Sequence, residues 1–280
     1  MDTECIMAML GLGCFVAAAL QAMISLLGAK PRGERTSMLC LGVGWLLFAG
    51  ILAIRAVKTA SIPAFNSFEA LTCYALALSA AYLVLMSVHP ARGIGSLLIP
   101  YVCVVLASGL PSMHAKAGPP PAIQNFWLGL HVVLAFSAYA LLSLASVLAV
   151  AYLLQDRNLK QKHFGRTWAR LPALETLDHR MGWLLGLGFL LLTGSILLGI
   201  TQIWRNSGGS EWVTDPKVGA TAVTWILFAV LVHMRASAGR HGRNMAVVTL
   251  AGLACLLFAF IGVHLVTSSV HSFVGILPVK

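Results

Sequence analysis

Gly208-Gly209-Ser210-Glu211-Trp212-Val213-Thr214-Asp215-Pro216-Lys217 reads as a short polar loop, and Val218-Gly219-Ala220-Thr221-Ala222-Val223-Thr224-Trp225 carries straight on from it as an apolar helix running to His233. The loop holds two acids and a base in a chain with only 10% charged residues. After Lys217 the next charged residue is Arg235. A run of that length and character is what a helix needs to cross hydrocarbon, where every backbone polar group must be satisfied within the segment. The stretch from Ile203 to Arg235 is therefore a short polar loop feeding straight into a membrane helix, and the ionisable residues of the loop make it a candidate site.

Working outward, the same character repeats along the chain. Apolar spans are predicted at Ile6–Ala29, Ser37–Ile54, Glu69–Val88, Gly95–Leu110, Asn125–Leu154, Met181–Trp204, Gly219–His233 and Met245–Val266. The fourth and seventh are short as drawn, so flanking residues are expected to extend them. Hydrophobic residues make up 59% of the sequence and mean hydropathy is +0.86, whereas soluble domains carry about a quarter charged residues. The expected fold is an all-α integral membrane protein, a bundle of about eight transmembrane helices forming a single domain over residues 1–280. The first span follows Met1-Asp2-Thr3-Glu4 without a basic leader or evident cleavage site, so it is read as a retained helix.

Basic residues orient the bundle. Alternate connections hold 13 of the 19 Lys and Arg residues, six of them between Arg157 and Arg180. The positive-inside tendency puts these connections on the cytoplasmic side and both termini on the outer face. It also accounts for the net charge of +10 without nucleic acid, since basic loops face an anionic leaflet of the lipid bilayer. The outer side then receives the loops at 55–68, 111–124 and 205–218 and the tail from Thr267. Pro119-Pro120-Pro121 stiffens the second of these loops. In the first, Asn66-Ser67-Phe68-Glu69 has the spacing of a helix capping box. The six cysteines show no metal-ligand spacing and read as small buried hydrophobes.

Of the nine histidines, His89, His163, His179 and His241 lie in or beside basic loops, and His114 lies in the proline-rich loop. His131 sits a short way inside the outer boundary of the fifth span, and His271 follows the eighth on the same side. His264 lies just before the end of the eighth span, and His233 lies at the cytoplasmic end of the seventh. Ionisable groups inside spans are functional candidates. Two histidines from different helices at one face have the chemistry of bis-imidazole haem ligation; hydrogen bonding between neighbouring helices is the competing reading. Trp127, Trp204 and Trp212 fit an interfacial aromatic belt and would equally serve as a flat shelf.

Trp212, Asp215-Pro216-Lys217, Trp225 and His233-Met234-Arg235 resemble the tryptophan-rich "WWD" segment and following helix of the CcsA-type cytochrome c assembly proteins. Asn66-Ser67-Phe68-Glu69, Trp127 to Tyr139, Leu174-Glu175-Thr176-Leu177-Asp178 and Leu265 to Phe273 resemble further pieces of that family in the same order. Within the 205–218 loop, two of the family's three tryptophans, its tyrosine and its last acid are absent, so the resemblance is to a degenerate WWD segment. Leu174 to Asp178 is expected to be a cytoplasmic turn.

The resemblance implies haem b as cargo in a bacterial-type inner membrane. It would be held at the outer face against the WWD segment, with His131 and His271 as axial ligands on iron, and presented to the CxxCH thiols of an apocytochrome c. The chain would be the haem-binding subunit of a holocytochrome c synthase. Trp212 and Asp215 belong to the haem-facing segment, and His233 matches a membrane histidine on the haem entry route. Haem propionates need cationic partners, for which Arg205 and Lys217 flank the loop, with Arg55 and Lys58 on the same side. A ResB/CcsB-type membrane subunit is expected beside the seventh span. The alternative is a HemX-like haem-binding regulatory or assembly protein without ligase activity. An unrelated transporter would show repeat symmetry or paired broken helices, and neither is found.

Overall fold

The computed structural model describes residues 3–28, 32–59, 62–64, 66–88, 93–115, 126–162, 171–207, 216–239 and 241–262. Among these residues, eight helices follow in order: α1 (Thr3–Leu27), α2 (Arg32–Thr59), α3 (Ser67–Val88), α4 (Gly95–Gly109), α5 (Phe126–Lys160), α6 (Leu174–Ser207), α7 (Pro216–Ala238) and α8 (Arg243–Leu257). A 3₁₀ turn, Leu110–Ser112, extends α4, and a π-helical turn, Phe258–Gly262, extends α8. With these extensions, all eight are long and apolar enough to cross a membrane.

The helices form two rings of four. In the first, α1 packs on α2 and α4, and α3 closes the ring against the same two. In the second, α5 packs on α6 and α8, and α7 closes it. The rings meet where α3 lies against α5. At that junction Tyr74 Oη is 2.7 Å from Tyr101 Oη and 2.6 Å from Ser143 Oγ, which ties α3 to α4 and α5. Phe260, turned inward by the π turn, packs edge-on to Tyr74, Phe136 and Tyr139, with ring centroids 5.6, 5.9 and 5.4 Å away.

Lipid offers no hydrophobic drive for one apolar helix to leave it for another, so close approach depends on small residues and polar contacts. The α1–α2 seam shows this reciprocally: Phe48 lies over Gly11 and Phe15 over Gly44, and the two rings are 6.1 Å apart. On the outward face of α6, Trp183, Leu187, Leu190, Leu197 and Trp204 are all exposed. The two tryptophans are 21 residues apart, which at 1.5 Å per residue is about 32 Å. That matches the roughly 30 Å of hydrocarbon between interfacial aromatic belts.

The bundle has two ends. One carries the starts of α1, α3, α5 and α7 and is called the first end below; the other carries the starts of α2, α4, α6 and α8. At the first end, Asn66 Oδ1 accepts the Glu69 amide at 2.7 Å, so the predicted cap is formed. The Glu69 carboxylate also takes Arg55 Nη1 at 3.3 Å.

Several boundaries differ from the sequence reading: α2 runs five residues beyond Ser37 and Ile54 at its two ends, α7 runs from Pro216 to Ala238 and not from Gly219 to His233, and α5 and α6 differ for reasons their contacts show. Helix α5 runs six residues past Leu154, and its extension carries the Asp156–Lys160 ion pair at 2.8 Å, four residues apart. Helix α6 starts seven residues before Met181, so Leu174 to Asp178 is its first turn and a half, not a free turn. Leu177 is fully buried there, which explains why the helix persists where hydropathy falls.

Candidate functional site

His131 lies five residues into α5, about 8 Å from its start at 1.5 Å per residue. Its ring is set into the seam with α6. Nδ1 is 2.7 Å from the Ser195 carbonyl oxygen and 3.2 Å from Ser195 Oγ. A carbonyl can only accept, so Nδ1 carries a proton and donates it; in the neutral form of the ring the lone pair is then on Nε2. Ser195 Oγ donates to the His131 backbone oxygen at 3.2 Å, which closes a reciprocal pair between the two helices. Ser195 is buried. One turn on, a Cβ placed at Gly199 would lie 3.0 Å from His131 Cε1 and 3.2 Å from Nδ1.

At nearly the same depth on the other flank of α6, Trp225 Nε1 of α7 donates to Thr193 Oγ1 at 2.9 Å, and its ring lies 5.6 Å from that of Phe189. Helix α6 thus carries His131 on one side and Trp225 on the other; residues 208–215, which join α6 to α7 in sequence, lie outside the described residues. Helix α7 opens on Pro216, the first helical position that proline favours. Lys217, partly buried, occupies the next position, and its carbonyl accepts the Thr221 hydroxyl at 2.8 Å.

His233 is not brought to His131. It lies eight residues beyond Trp225, about 12 Å further toward the opposite end. Its side chain is exposed on the outward stripe of α7 that also holds Val223, Ile226 and Val230. Its Nδ1 is 3.3 Å from Ser237 Oγ. Two residues further on, Arg235 fixes this end of α7: Nη2 is 2.7 Å from Asp178 Oδ2, Nη1 is 3.3 Å from Oδ1, and Nη2 also donates to the Asp178 carbonyl. Asp178 further accepts His241 Nδ1 at 2.9 Å and the Gly242 amide at 3.2 Å. Gly242 has φ +88°, a conformation that glycine adopts without steric cost, and it leads into α8. One carboxylate therefore joins the start of α6, the end of α7 and the start of α8.

Arg55 and Lys58 are engaged within the first ring. Arg55 donates to Glu4 Oε2 at 3.0 Å, Glu69 Oε1 at 3.3 Å and the Met113 carbonyl at 2.7 Å, and its guanidinium stacks over Phe68 at 4.7 Å. Lys58 reaches Glu4 Oε1 at 2.8 Å. Pro111, which cannot continue α4, forms the turn that presents the Met113 carbonyl.

Trp212, Asp215, His264 and His271 lie outside the described residues, and Arg205 is described only as backbone in the last turn of α6. Among the described residues no group of three or more His, Cys, Asp or Glu side chains has metal-site geometry, and the cysteines are unpaired. Sequence reasoning missed Ser195, Gly199 and Thr193. The signal for the first two was the small-residue spacing Ser195-x-x-x-Gly199, which marks a helix face that allows close approach.

Residues 64–271 match the family model described as cytochrome C assembly protein. Among curated proteins, the cytochrome c biogenesis protein CcsA of Chlamydomonas reinhardtii is 31% identical over 245 residues, covering 83% of this chain and 67% of that protein. The CcsA of Synechococcus sp. (strain CC9311) is 30% identical over 298 residues, covering 94% of this chain and 97% of that one. Among solved structures, the cytochrome c haem lyase CcmF matches 95% of this chain with a TM-score of 0.57 at 18% identity. This chain spans 47% of that protein's chain, so the likeness is one of fold.

Proposed function

Because the chain belongs to the cytochrome c assembly protein family, and is a multi-pass membrane protein of c-type cytochrome biogenesis, we propose that it binds haem b as cargo at the outer membrane face and presents it for covalent attachment to apocytochrome c CxxCH thiols. In this reading the first end of the bundle is the outer face of a bacterial-type inner membrane, and both termini lie there. His131 and His271 are the axial ligands, and Trp212 and Asp215 of the 205–218 loop pack against the macrocycle. Arg205 and Lys217, which flank the 205–218 loop, take the propionates; Arg55 and Lys58 hold Glu4, and Arg55 also holds Glu69.

The observation that carries the reading is the state of His131. A metal-binding imidazole must offer a deprotonated nitrogen, and ligating histidines regularly donate the other N–H to a carbonyl. His131 makes such a bond to the Ser195 carbonyl. The ring thus has the chemistry of an axial ligand, and it lies about 8 Å inside the start of α5.

His233 supports a second element of the same reading. A histidine on an otherwise apolar outward stripe is costly against lipid and is accounted for if another helix covers it. We assign that stripe to a ResB/CcsB-type membrane subunit, which would supply a facing histidine on the haem entry route. The thioether chemistry is then shared between subunits, and this chain acts as the haem-binding part of a holocytochrome c synthase.

The test is spectroscopic. Protein purified in detergent after expression with ample haem should show a low-spin Soret spectrum. His131→Gly and His271→Gly should each weaken it, with added imidazole restoring it by filling the vacated axial position. A wild-type spectrum in both variants would refute the ligand assignment. Co-expression with a CxxCH reporter, in cells lacking their own assembly system, should yield covalent haem only when the partner subunit is present. A low-spin spectrum with no attachment under either condition would favour the HemX-like regulatory role.

A further inference from the structure

We propose that the Ser195 carbonyl and the absent side chain of Gly199 are positioning features of α6 that preset the His131 imidazole, in its Nδ1–H tautomer, with Nε2 as the nitrogen offered to haem iron. The proposal rests on the ligand reading above and adds to it the groups that prepare the ligand. Ser195 and Gly199 are four residues apart, so they share one face of α6, and His131 lies against both.

Each feature constrains a different freedom of the ring. The 2.7 Å bond to the Ser195 carbonyl selects the tautomer. A hydroxyl alone would not select it, because a hydroxyl donates or accepts as needed. His233 provides the comparison within the same chain: among the described residues its Nδ1 meets the Ser237 hydroxyl, at 3.3 Å, and that contact is compatible with either tautomer. The carbonyl bond also makes Nε2 more basic, which strengthens a bond to ferric iron.

Gly199 sets where the ring plane can lie. A methyl group there would stand 3.0 Å from Cε1 and 3.2 Å from Nδ1, inside ordinary van der Waals separation. The imidazole would have to move by a few tenths of an ångström, lengthening the bond to Ser195. Glycine elsewhere on the same seam meets only aliphatic carbon: a Cβ at Gly188 would lie 2.8 Å from Leu142 Cδ2. The two glycines thus separate the effect of ring position from the effect of helix packing.

The experiment compares Gly199→Ala with Gly188→Ala in the full chain in detergent, following haem retention, the low-spin spectrum and the ferric/ferrous potential. Gly199→Ala should weaken haem retention about 10- to 100-fold, the range found when partners of metal-bound histidines are changed. It should also raise the potential, because a less basic imidazole stabilises ferric iron less. Gly188→Ala should do neither. In a His131→Gly background rescued by imidazole, Gly199→Ala should have no further effect, since a free imidazole chooses its own position. Equal losses from the two alanine variants, or a silent Gly199→Ala, would overturn the proposal while the ligand assignment stood. If His131→Gly itself left the spectrum unchanged, both would fall. A second measurement needs no variant at the seam: ¹⁵N spectra of histidine-labelled, haem-free protein, with the His131 signal identified by its loss in His131→Gly. Protonation at Nδ1 supports the proposal and protonation at Nε2 overturns it.

Discussion

Replacing Arg235 by methionine removes the guanidinium from the junction of α6, α7 and α8 while keeping an unbranched apolar stem. The Arg235 and Asp178 side chains are part-buried, each 13% exposed, so the pair is screened less than a surface pair and more than one cut off from solvent. Breaking a buried pair by removing one partner costs about 3–5 kcal/mol. Asp178 would keep His241 Nδ1 and the Gly242 amide, which lowers the expected cost of Arg235→Met to about 2–3 kcal/mol. Asp178→Ala should cost more, about 3–4 kcal/mol, because it strands the Arg235 cation and deprives both other donors of their acceptor. For a chain of this size each kcal/mol moves Tm by about 2–4 °C, so losses of roughly 5–10 °C for Arg235→Met are expected in detergent melts. The double variant Asp178→Ala/Arg235→Met should melt no lower than Asp178→Ala alone, because it also removes the stranded cation, which gives a coupling of at least about 2 kcal/mol. The reasoning is refuted if the single losses add, or if Arg235→Met shifts Tm by no more than the 0–1 kcal/mol of an exposed pair.

Tyr74→Phe should destabilise the chain by about 1–3 kcal/mol, since it leaves the Tyr101 and Ser143 hydroxyls without the oxygen they share; adding Ser143→Ala should recover part of the loss in the same melts. Asn66→Ala should cost about 1 kcal/mol through the lost cap and should speed hydrogen exchange at the Glu69 amide more than at amides in the middle of α3.

The spans were legible because lipid imposes the rule that makes them so: residues that cross it must be apolar and helical. Asn66 was legible as a cap because its partner is three residues away. The ends of α5 and α6 were not, because hydropathy reports the hydrocarbon and not the helix. Beyond the apolar stretch, α5 continues on the local Asp156–Lys160 pair and α6 begins early on buried Leu177. Arg55 read as an outer-side cation that could meet a propionate, yet its acceptors lie 51, 14 and 58 residues away in sequence, and no local pattern announces them.

The candidate site divides in the same way. Sequence by itself determined that this is a bundle of membrane helices, that a polar loop ending at Pro216-Lys217 leads straight into one of them, and that His131 is an ionisable residue a short way inside another. These follow from composition, order and helical rise, which are properties of a segment. Only the tertiary structure decided that α5 lies against α6, that the His131 proton goes to a carbonyl 64 residues away, and that His233 faces outward about 12 Å deeper than Trp225. Tautomer, ring position and facing direction are set by what a neighbouring helix presents, and in a bundle that neighbour is chosen by the packing of small residues and buried polar groups along whole seams.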